Sequence, residues 1–198
     1  MNMVILQRTR LRVVAEREVA KLTATELYEQ HFTEVFRYVS RRVPTQEEAE
    51  DITTEVFAAA FQALPRFRGQ CSPYLWLLGI ARRKVADTLR RYYRRREMPV
   101  SELPSESILE SLASPEEGPE AKLQHAEELQ VIRNLVRQLK PDQREALLLQ
   151  YVEGLTIREI GVVMRRSPAA INSLLQRARA AIYRQGQSYF LEGSEGAK

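Results

Sequence analysis

Sequence signals for the start of a helix recur at short intervals along this chain, which indicates a fold made of short helices. Ser/Thr-x-x-Glu capping boxes begin at Thr23, Thr45 and Thr156, and in such a box the hydroxyl and the carboxylate each accept a backbone N–H. Ser72 and Ser167 each precede a proline, a residue that suits the first helical position. Alternating strand patterns are almost absent, so the sequence predicts an all-α fold.

These signals divide the chain into two small helical domains. Helices are expected near residues 26–42, 46–64, 73–96, 120–138, 141–153, 156–164 and 168–184. Pro141 opens the fifth of these helices, and Gly154 closes it. Residues 97–119 hold several prolines, serines and glutamates but few apolar side chains, and such a composition is typical of a flexible linker. The predicted parts are an N-terminal extension (1–22), a first domain (23–96), the linker (97–119), a second domain (120–186) and a disordered tail (187–198).

Charge is distributed very unevenly along the chain. Residues 1–96 contain 18 Lys and Arg against 11 Asp and Glu, and residues 129–198 contain 11 against six. Residues 97–128 between them contain one lysine and nine glutamates. Two basic segments separated by an acidic, flexible linker suggest two surfaces that bind a polyanion.

Several classes of protein are disfavoured by the composition. The single cysteine, Cys71, excludes an intrachain disulfide and fits a reducing, cytoplasmic setting. The short apolar run at residues 4–6 is followed at once by arginines, so neither a signal peptide nor stable membrane insertion is expected. His31 and His125 fall in different predicted segments, and no metal-ligand spacing, nucleophile motif or phosphate-binding glycine loop occurs. We therefore expect no enzymatic activity, no catalytic residue, no cofactor and no metal.

The segment from Leu155 to Ile182 has the pattern of a helix-turn-helix. Ile171, Leu175 and Ala178 share one face of its second helix, and the opposite face carries small and polar residues, among them Asn172 and Gln176. Amide side chains on a helix that enters the major groove can form two hydrogen bonds with one base edge. The alternative is a helical hairpin with a solvated polar face.

The helix predicted at 73–96 is strongly basic. From Arg66 to Arg96 the chain has ten basic residues and one acid, which favours binding of an anion over a merely solvated face. Phe67, Tyr74 and Trp76 lie at its start. Aromatic rings beside basic charge suit unstacked bases of melted nucleic acid, although core packing is an equally good interpretation of Tyr74 and Trp76.

The helix predicted at 46–64 has an acidic face inside an otherwise basic domain. Glu48, Asp51, Glu55 and Gln62 share this face. Because acids would weaken a nucleic-acid surface, they indicate a separate contact with a protein. Favourable charge at the helix N-terminus explains Glu48 well but Glu55 poorly.

Three stretches together resemble bacterial RNA polymerase sigma factors of the small extracytoplasmic-function (ECF) type. They are EEAEDITTEVFAAAFQAL, FRGQCSPYLWLLGIARRKVADTLRR and LKPDQREALLLQYVEGLTIREIGVVMRRSPAAINSLLQRAR. The resemblance implies a sigma region 2 helical bundle and a sigma region 4 helix-turn-helix domain. It also implies a transcription initiation factor that binds core RNA polymerase, through its β′ coiled coil and β subunit, and promoter DNA. An anti-sigma factor that holds the protein inactive, in some cases at the inner membrane, is a further implied partner.

The resemblance assigns residues to three surfaces. Core polymerase binding is implied for Glu48, Asp51, Ile52, Glu55, Val56, Phe57 and Gln62. Minus-ten DNA binding, with capture of a flipped base, is implied for Phe67, Arg68, Tyr74, Trp76, Arg82, Arg83, Lys84, Arg90 and Arg91. Minus-thirty-five DNA binding is implied for Thr156, Ser167, Pro168, Ala169, Asn172, Ser173, Gln176 and Arg177. The main alternative function is a stand-alone helix-turn-helix regulator, which would need no acidic docking helix.

Overall fold

The N-cap hydrogen bonds expected from the sequence form in the computed structural model of the chain, which describes residues 22–95 and 130–192. The complete capping box is found at Thr23 and Thr156, and at Thr45 the hydroxyl caps the helix. Every helix or strand assigned within these ranges is a helix. The helices are α1 (Ala24–Ser40), α2 (Gln46–Ala63), a 3₁₀ turn (Leu64–Arg66), α3 (Pro73–Arg95), α4 (described over 130–137), α5 (Pro141–Tyr151), α6 (Ile157–Met164) and α7 (Pro168–Glu192). The prediction of an all-α fold is confirmed for the described residues.

The helix starts agree with the sequence because each depends on a local hydrogen bond. The Thr23 hydroxyl accepts the amide of Glu26 at 3.2 Å, and the Glu26 carboxylate accepts the Thr23 amide at 2.9 Å. The Thr45 hydroxyl accepts the amide of Glu48 at 3.2 Å. At α3, the Ser72 hydroxyl accepts the amide of Leu75 at 3.3 Å. Each such bond satisfies an amide that has no partner within its own helix.

The helix ends differ more from prediction than the starts do. Helix α5 ends at Tyr151, and Gly154, at φ 66°, then reverses the chain, so that the Leu155 amide donates to the carbonyl of Leu149 at 3.0 Å. Helix α7 continues to Glu192, so the prediction of a disordered tail from residue 187 is wrong for 187–192. Residues 1–21, the linker, 120–129 of the fourth predicted helix and 193–198 lie outside the described residues.

The chain divides into two compact units, residues 1–91 and residues 92–198. In the first unit, α1 packs against α2, and the buried side chains include Leu27, Val35, Tyr38, Val56, Leu77 and Leu78. The guanidinium of Arg42 lies 3.6 Å from the centre of the Tyr38 ring and donates to the Tyr38 carbonyl at 2.9 Å. A buried cation is thus held by a ring face and a carbonyl.

In the second unit, α7 packs against both α5 and α6. Its core includes Leu149, Leu155, Ile160, Ile171, Leu175 and Ala178. Arg144 of α5 donates to the carbonyls of Val136, Arg137 and Leu139. These carbonyls lie in the last turn of α4 and in the residues just after it, so one arginine ties the end of α4 to α5.

Candidate nucleic-acid and protein interfaces

The turn between α6 and α7 contains one residue in a strained backbone conformation and is held by backbone hydrogen bonds. Arg165 is left-handed, at φ 52° and ψ 48°, a conformation that glycine adopts far more readily than other residues. That conformation costs a non-glycine residue about 1–2 kcal/mol. The Arg166 amide donates to the Gly161 carbonyl at 2.9 Å. A Cβ on Gly161 would lie 2.8 Å from the Arg166 carbonyl oxygen, so a glycine at this position leaves room for the turn.

Helix α7 separates its buried face cleanly from its outer face. Ile171, Leu174, Leu175 and Ala178 are buried. The residues predicted to contact DNA on this helix are all exposed, as are those that precede it: Thr156, Ser167, Pro168, Ala169, Asn172, Ser173, Gln176 and Arg177. The outer face therefore presents amides, small side chains and a guanidinium to solvent, the chemistry that reads base edges and binds phosphates.

Some arginines of the second unit have structural partners that the sequence did not reveal. Arg166 forms an ion pair with Asp142 of α5. Arg179 donates to the amide oxygen of Gln150 at 3.0 Å. These pairs join α7 and its turn to α5, across 24 and 29 residues of sequence respectively. Because the partners are far apart in the chain, helical periodicity alone gives no signal for them.

The basic face of α3 is exposed along most of its length. Arg83, Arg90 and Arg91 are exposed, and Arg68 in the preceding loop is exposed as well. Arg82 and Lys84 are partly buried. Asp87, the single acid of the helix, pairs with Arg90. The remaining charge is not neutralised by acids on this helix, which leaves an electrostatic surface suited to a phosphate backbone.

The aromatic residues before α3 pack against one another. The rings of Phe67 and Trp76 are stacked, with centroids 4.6 Å apart and planes at 24°. Tyr74 faces His31 of α1, with ring centroids 6.1 Å apart. All three predicted aromatics are partly buried. The stacked pair lies beside the basic face. Aromatic rings in such a place are the kind of surface on which a single unstacked base can stack.

Helix α2 divides its predicted docking residues into an outer and an inner set. Asp51, Glu55 and Gln62 are exposed, and Glu48 is partly buried. Ile52, Val56 and Phe57 retain at most 5% exposure. These three residues belong to the core of the first unit, in which α2 packs against α1. Their role is to hold the outer set in place.

One ion pair connects the acidic helix with the basic helix. The Lys84 ammonium lies 2.8 Å from the Glu55 carboxylate, and both side chains are at least a third exposed. The sequence assigned these residues to two different surfaces. An exposed pair of this kind contributes about 0–1 kcal/mol, so it orients the two side chains without locking either.

Three titratable groups respond to their surroundings. Burial raises the pKa of Glu48, and the backbone hydrogen bond at Thr45 opposes this rise. Hydrogen bonds from the Thr23 backbone and hydroxyl lower the pKa of Glu26. Burial raises the pKa of the Cys71 thiol, which therefore stays protonated and weakly nucleophilic at neutral pH.

Within residues 22–95 and 130–192 no three His, Cys, Asp or Glu side chains come together as a metal site would require. None of the helices in these ranges is both long and apolar enough to cross a membrane.

Comparison with known proteins connects both units with one family. The sigma-70 region 2 family matches residues 27–96, and the sigma-70 region 4 family matches residues 129–182. Over 149 residues the chain is 35% identical to the ECF RNA polymerase sigma factor SigD of Mycobacterium tuberculosis, which covers 73% of this chain and 68% of SigD. It is 33% identical over 153 residues to the ECF RNA polymerase sigma factor BldN of Streptomyces coelicolor, which covers 77% of this chain but 56% of BldN.

A solved structure shares the fold. The sigma factor RpoE of Bartonella quintana, in complex with the anti-sigma factor NepR, superposes with a TM-score of 0.56 at 17% identity, covering 82% of this chain and 96% of that one.

Proposed function

The chain belongs to the ECF group of sigma-70 RNA polymerase sigma factors, and we propose that it binds core RNA polymerase and directs the enzyme to specific promoters. The observation that carries this proposal is the presence of both sigma regions in one chain, in the order region 2 then region 4. A stand-alone regulator with a helix-turn-helix would not need the first unit. The protein acts by binding, since promoter selection requires no bond of the DNA to be broken.

The second unit is proposed to bind the minus-thirty-five promoter element. The side chains for base contacts are Asn172 and Gln176, because both are exposed on the outer face of α7 and both carry a donor and an acceptor. Arg177 is assigned to the phosphate backbone. Thr156, Ser167, Pro168, Ala169 and Ser173 complete the surface, where small side chains allow the helix to approach the groove closely.

The first unit is proposed to bind the minus-ten element and to hold a base extruded from the duplex. Arg83, Arg90 and Arg91 on α3 and Arg68 before it contact phosphates. Phe67, Trp76 and Tyr74 provide the aromatic surface on which the base rests. Arg82 and Lys84, which are partly buried, flank this surface at the middle of α3.

The outer face of α2 is proposed to dock on the β′ coiled coil of core polymerase. Asp51, Glu55 and Gln62 make the contact, and Glu48 lies at its edge. The β subunit and an anti-sigma factor are further proposed partners, the latter supported by the RpoE structure, whose partner is an anti-sigma factor. Because core polymerase works in the cytoplasm, we place the protein there.

Charge reversal on α2 tests this proposal. Asp51→Arg with Glu55→Arg is expected to abolish co-purification with core polymerase, because two attractive contacts become repulsive. Asp87→Arg is the matched control, since it reverses an exposed acid of the same unit on α3. Circular dichroism must show unchanged helix content in both variants. Equal recovery of core polymerase with the double variant and the control would refute docking through α2.

A further inference from the structure

One arginine of the turn before α7 is held by a carboxylate of another helix. Nη2 of Arg166 donates to the carboxylate of Asp142, which lies in the first turn of α5. Both side chains stay partly open to solvent, since 44% of the Arg166 side chain and 39% of the Asp142 side chain are exposed. The ion pair therefore sets the direction of the guanidinium without covering it.

The rest of the Arg166 guanidinium can still donate hydrogen bonds. A guanidinium carries five N–H donors in a planar fork. Within the parts of the chain that the structure describes, Nη2 is the only side-chain nitrogen of Arg166 with a hydrogen-bond acceptor. Nε and Nη1 are thus available to an acceptor from outside the protein, and phosphate oxygens match such a fork well.

The backbone of Arg166 is held as well as its side chain. Its amide donates to the Gly161 carbonyl at 2.9 Å. The next residue, Ser167, accepts the Ala170 amide on its hydroxyl at 3.3 Å. A long side chain that is already ordered loses little conformational freedom on binding, and this loss is a main cost of contacts made by arginine and lysine.

Arg166 lies at the edge of the surface proposed to bind the minus-thirty-five element. It directly precedes Ser167, Pro168 and Ala169, which belong to that surface and are exposed. Helical periodicity did not include Arg166 in the surface, because this residue belongs to the turn and not to a helix. Arginines beside a helix that enters the major groove commonly bind the phosphate backbone and fix the register of the protein on DNA.

We propose that Arg166 binds a phosphate of the minus-thirty-five element and that Asp142 is the residue that positions it. This inference rests on the proposed binding of that element by the second unit. The carboxylate of Asp142 holds one nitrogen of the guanidinium, and the phosphate accepts from the others. Arg166 then adds a second phosphate contact to that of Arg177.

A carboxylate near DNA repels phosphates, so the effect of Asp142 has two parts. The guanidinium lies between the carboxylate and the phosphate that it binds, and its positive charge is closer to each of them than they are to one another. Salt in solution further screens the repulsion. Holding one long side chain in place before binding raises affinity about two- to tenfold, so positioning outweighs repulsion.

The salt dependence of DNA binding tests the phosphate contact. The affinity of the full chain for a duplex of random sequence is measured by fluorescence anisotropy at several salt concentrations. Each phosphate contact contributes about 0.9 to the slope of log affinity against log salt, so Arg166→Ala should make this slope shallower by that amount. Arg166→Lys should keep the slope but lose affinity, because an ammonium keeps the charge without the fork. An unchanged slope with Arg166→Ala overturns the proposal.

Arg133→Ala is the matched control for the loss of an arginine. Arg133 lies on α4, outside the helix-turn-helix, and donates to Gln130 at 3.2 Å. This variant should keep the slope of the unchanged chain. An equal decrease in slope with Arg133→Ala would assign the effect to net charge and overturn the proposal. Circular dichroism must show unchanged helix content in all variants.

A double-mutant cycle tests the role of Asp142. Asp142→Asn is measured in the unchanged chain and in the Arg166→Ala chain. In both chains it removes a repelling charge, but only where Arg166 is present does it also release a guanidinium. Its effect on affinity should therefore be less favourable by about two- to tenfold where Arg166 is present. Asp142→Glu keeps the charge and should restore most of this difference.

Two results contradict the positioning role of Asp142. Equal effects of Asp142→Asn in the two chains would show that the ion pair does not influence DNA binding. A steeper salt slope with Asp142→Asn, seen only where Arg166 is present, would show that Asp142 keeps Arg166 away from phosphate.

Promoter preference separates this inference from the proposed function. In complex with core polymerase, Arg166→Ala should weaken binding to a preferred and to a scrambled minus-thirty-five element by the same factor, because phosphate contacts carry no sequence information. A changed preference overturns the assignment of Arg166 to phosphate. If the unchanged chain has no preference, the proposed function of the second unit fails, and the salt slope of Arg166→Ala still decides whether Arg166 binds phosphate.

Discussion

The two units place their functional residues in opposite ways. In the second unit, the proposed DNA surface lies on one face of α7 and the core lies on the other, with no residue shared. In the first unit, core and surface alternate along α2, and an ion pair joins Glu55 of the acidic surface to Lys84 of the basic one. A helix that packs on one side keeps function and stability separate, whereas a helix that packs between neighbours combines them.

The second unit should therefore lose stability and DNA recognition through different residues. Ile171→Ala removes a fully buried side chain and should destabilise this unit by about 2–5 kcal/mol. Trp76, the single tryptophan, lies in the first unit, so its fluorescence reports that unit alone. In denaturant titrations the circular dichroism transition should shift while the fluorescence transition stays. An equal shift of both would show that the units unfold together.

On the outer face of α7, two adjacent residues should have distinct effects on DNA. Gln176→Ala should cost about 1–3 kcal/mol at its preferred base pair and relax the sequence preference there. Arg177→Ala should weaken binding on all sequences and make its salt dependence shallower. Both are measured with holoenzyme on promoter variants at several salt concentrations. If the two effects are exchanged, the orientation of α7 in the groove is wrong.

The turn before α7 stores a small amount of backbone strain. Arg165→Gly relieves a left-handed arginine but gives the unfolded chain more freedom, so a net stabilisation of up to about 1 kcal/mol is expected. Arg165→Asn, which tolerates this conformation better than arginine, should be intermediate. Chemical denaturation measures both. A loss of stability with glycine would show that the arginine side chain makes contacts worth more than the strain.

The smallest expected effect concerns Glu48, where surface and core overlap in the first unit. Because burial raises its pKa above the ordinary 4.5, the folded state binds the proton more tightly than the unfolded state. Stability is therefore lost as the pH rises from the pKa of Glu48 in the unfolded state through its higher pKa in the folded state. Glu48→Gln should raise the melting temperature at neutral pH, and this gain should vanish below pH 4.5.

Glu47→Gln is the control for that change, because Glu47 is exposed in the same first turn. It should lower stability slightly by removing a charge that is favourable at a helix N-terminus. If Glu48→Gln behaves in the same way, the helix dipole outweighs burial at Glu48.

The sequence was sufficient wherever structure depends on neighbours in the chain. Thr156 and Glu159 form the capping box that their spacing predicts, and so do Thr23 and Glu26. The outer face of α7 follows from periodicity because the helix packs on one side. In these cases the relevant interactions lie within four residues, which is the range that a helical pattern encodes.

The sequence was insufficient wherever structure depends on contacts between distant segments. The pair Lys84–Glu55 joins two helices, and the pair Arg166–Asp142 joins the turn before α7 to α5. Because the partners are far apart in the chain, no local spacing predicts either pair. The sequence predicted the end of α7 too early. The last turns of this helix, QGQSYFLE, begin with a glycine and polar residues, and such residues commonly mark the end of a helix.

Transcription in vitro with purified core polymerase and a library of promoter sequences tests the assignment most directly. If the two units select promoters together, specific start sites should appear when the chain is added to core polymerase and should be absent with either component alone. If the chain produces no new start sites, or binds its DNA sites equally well without polymerase, it is not a promoter-selecting subunit.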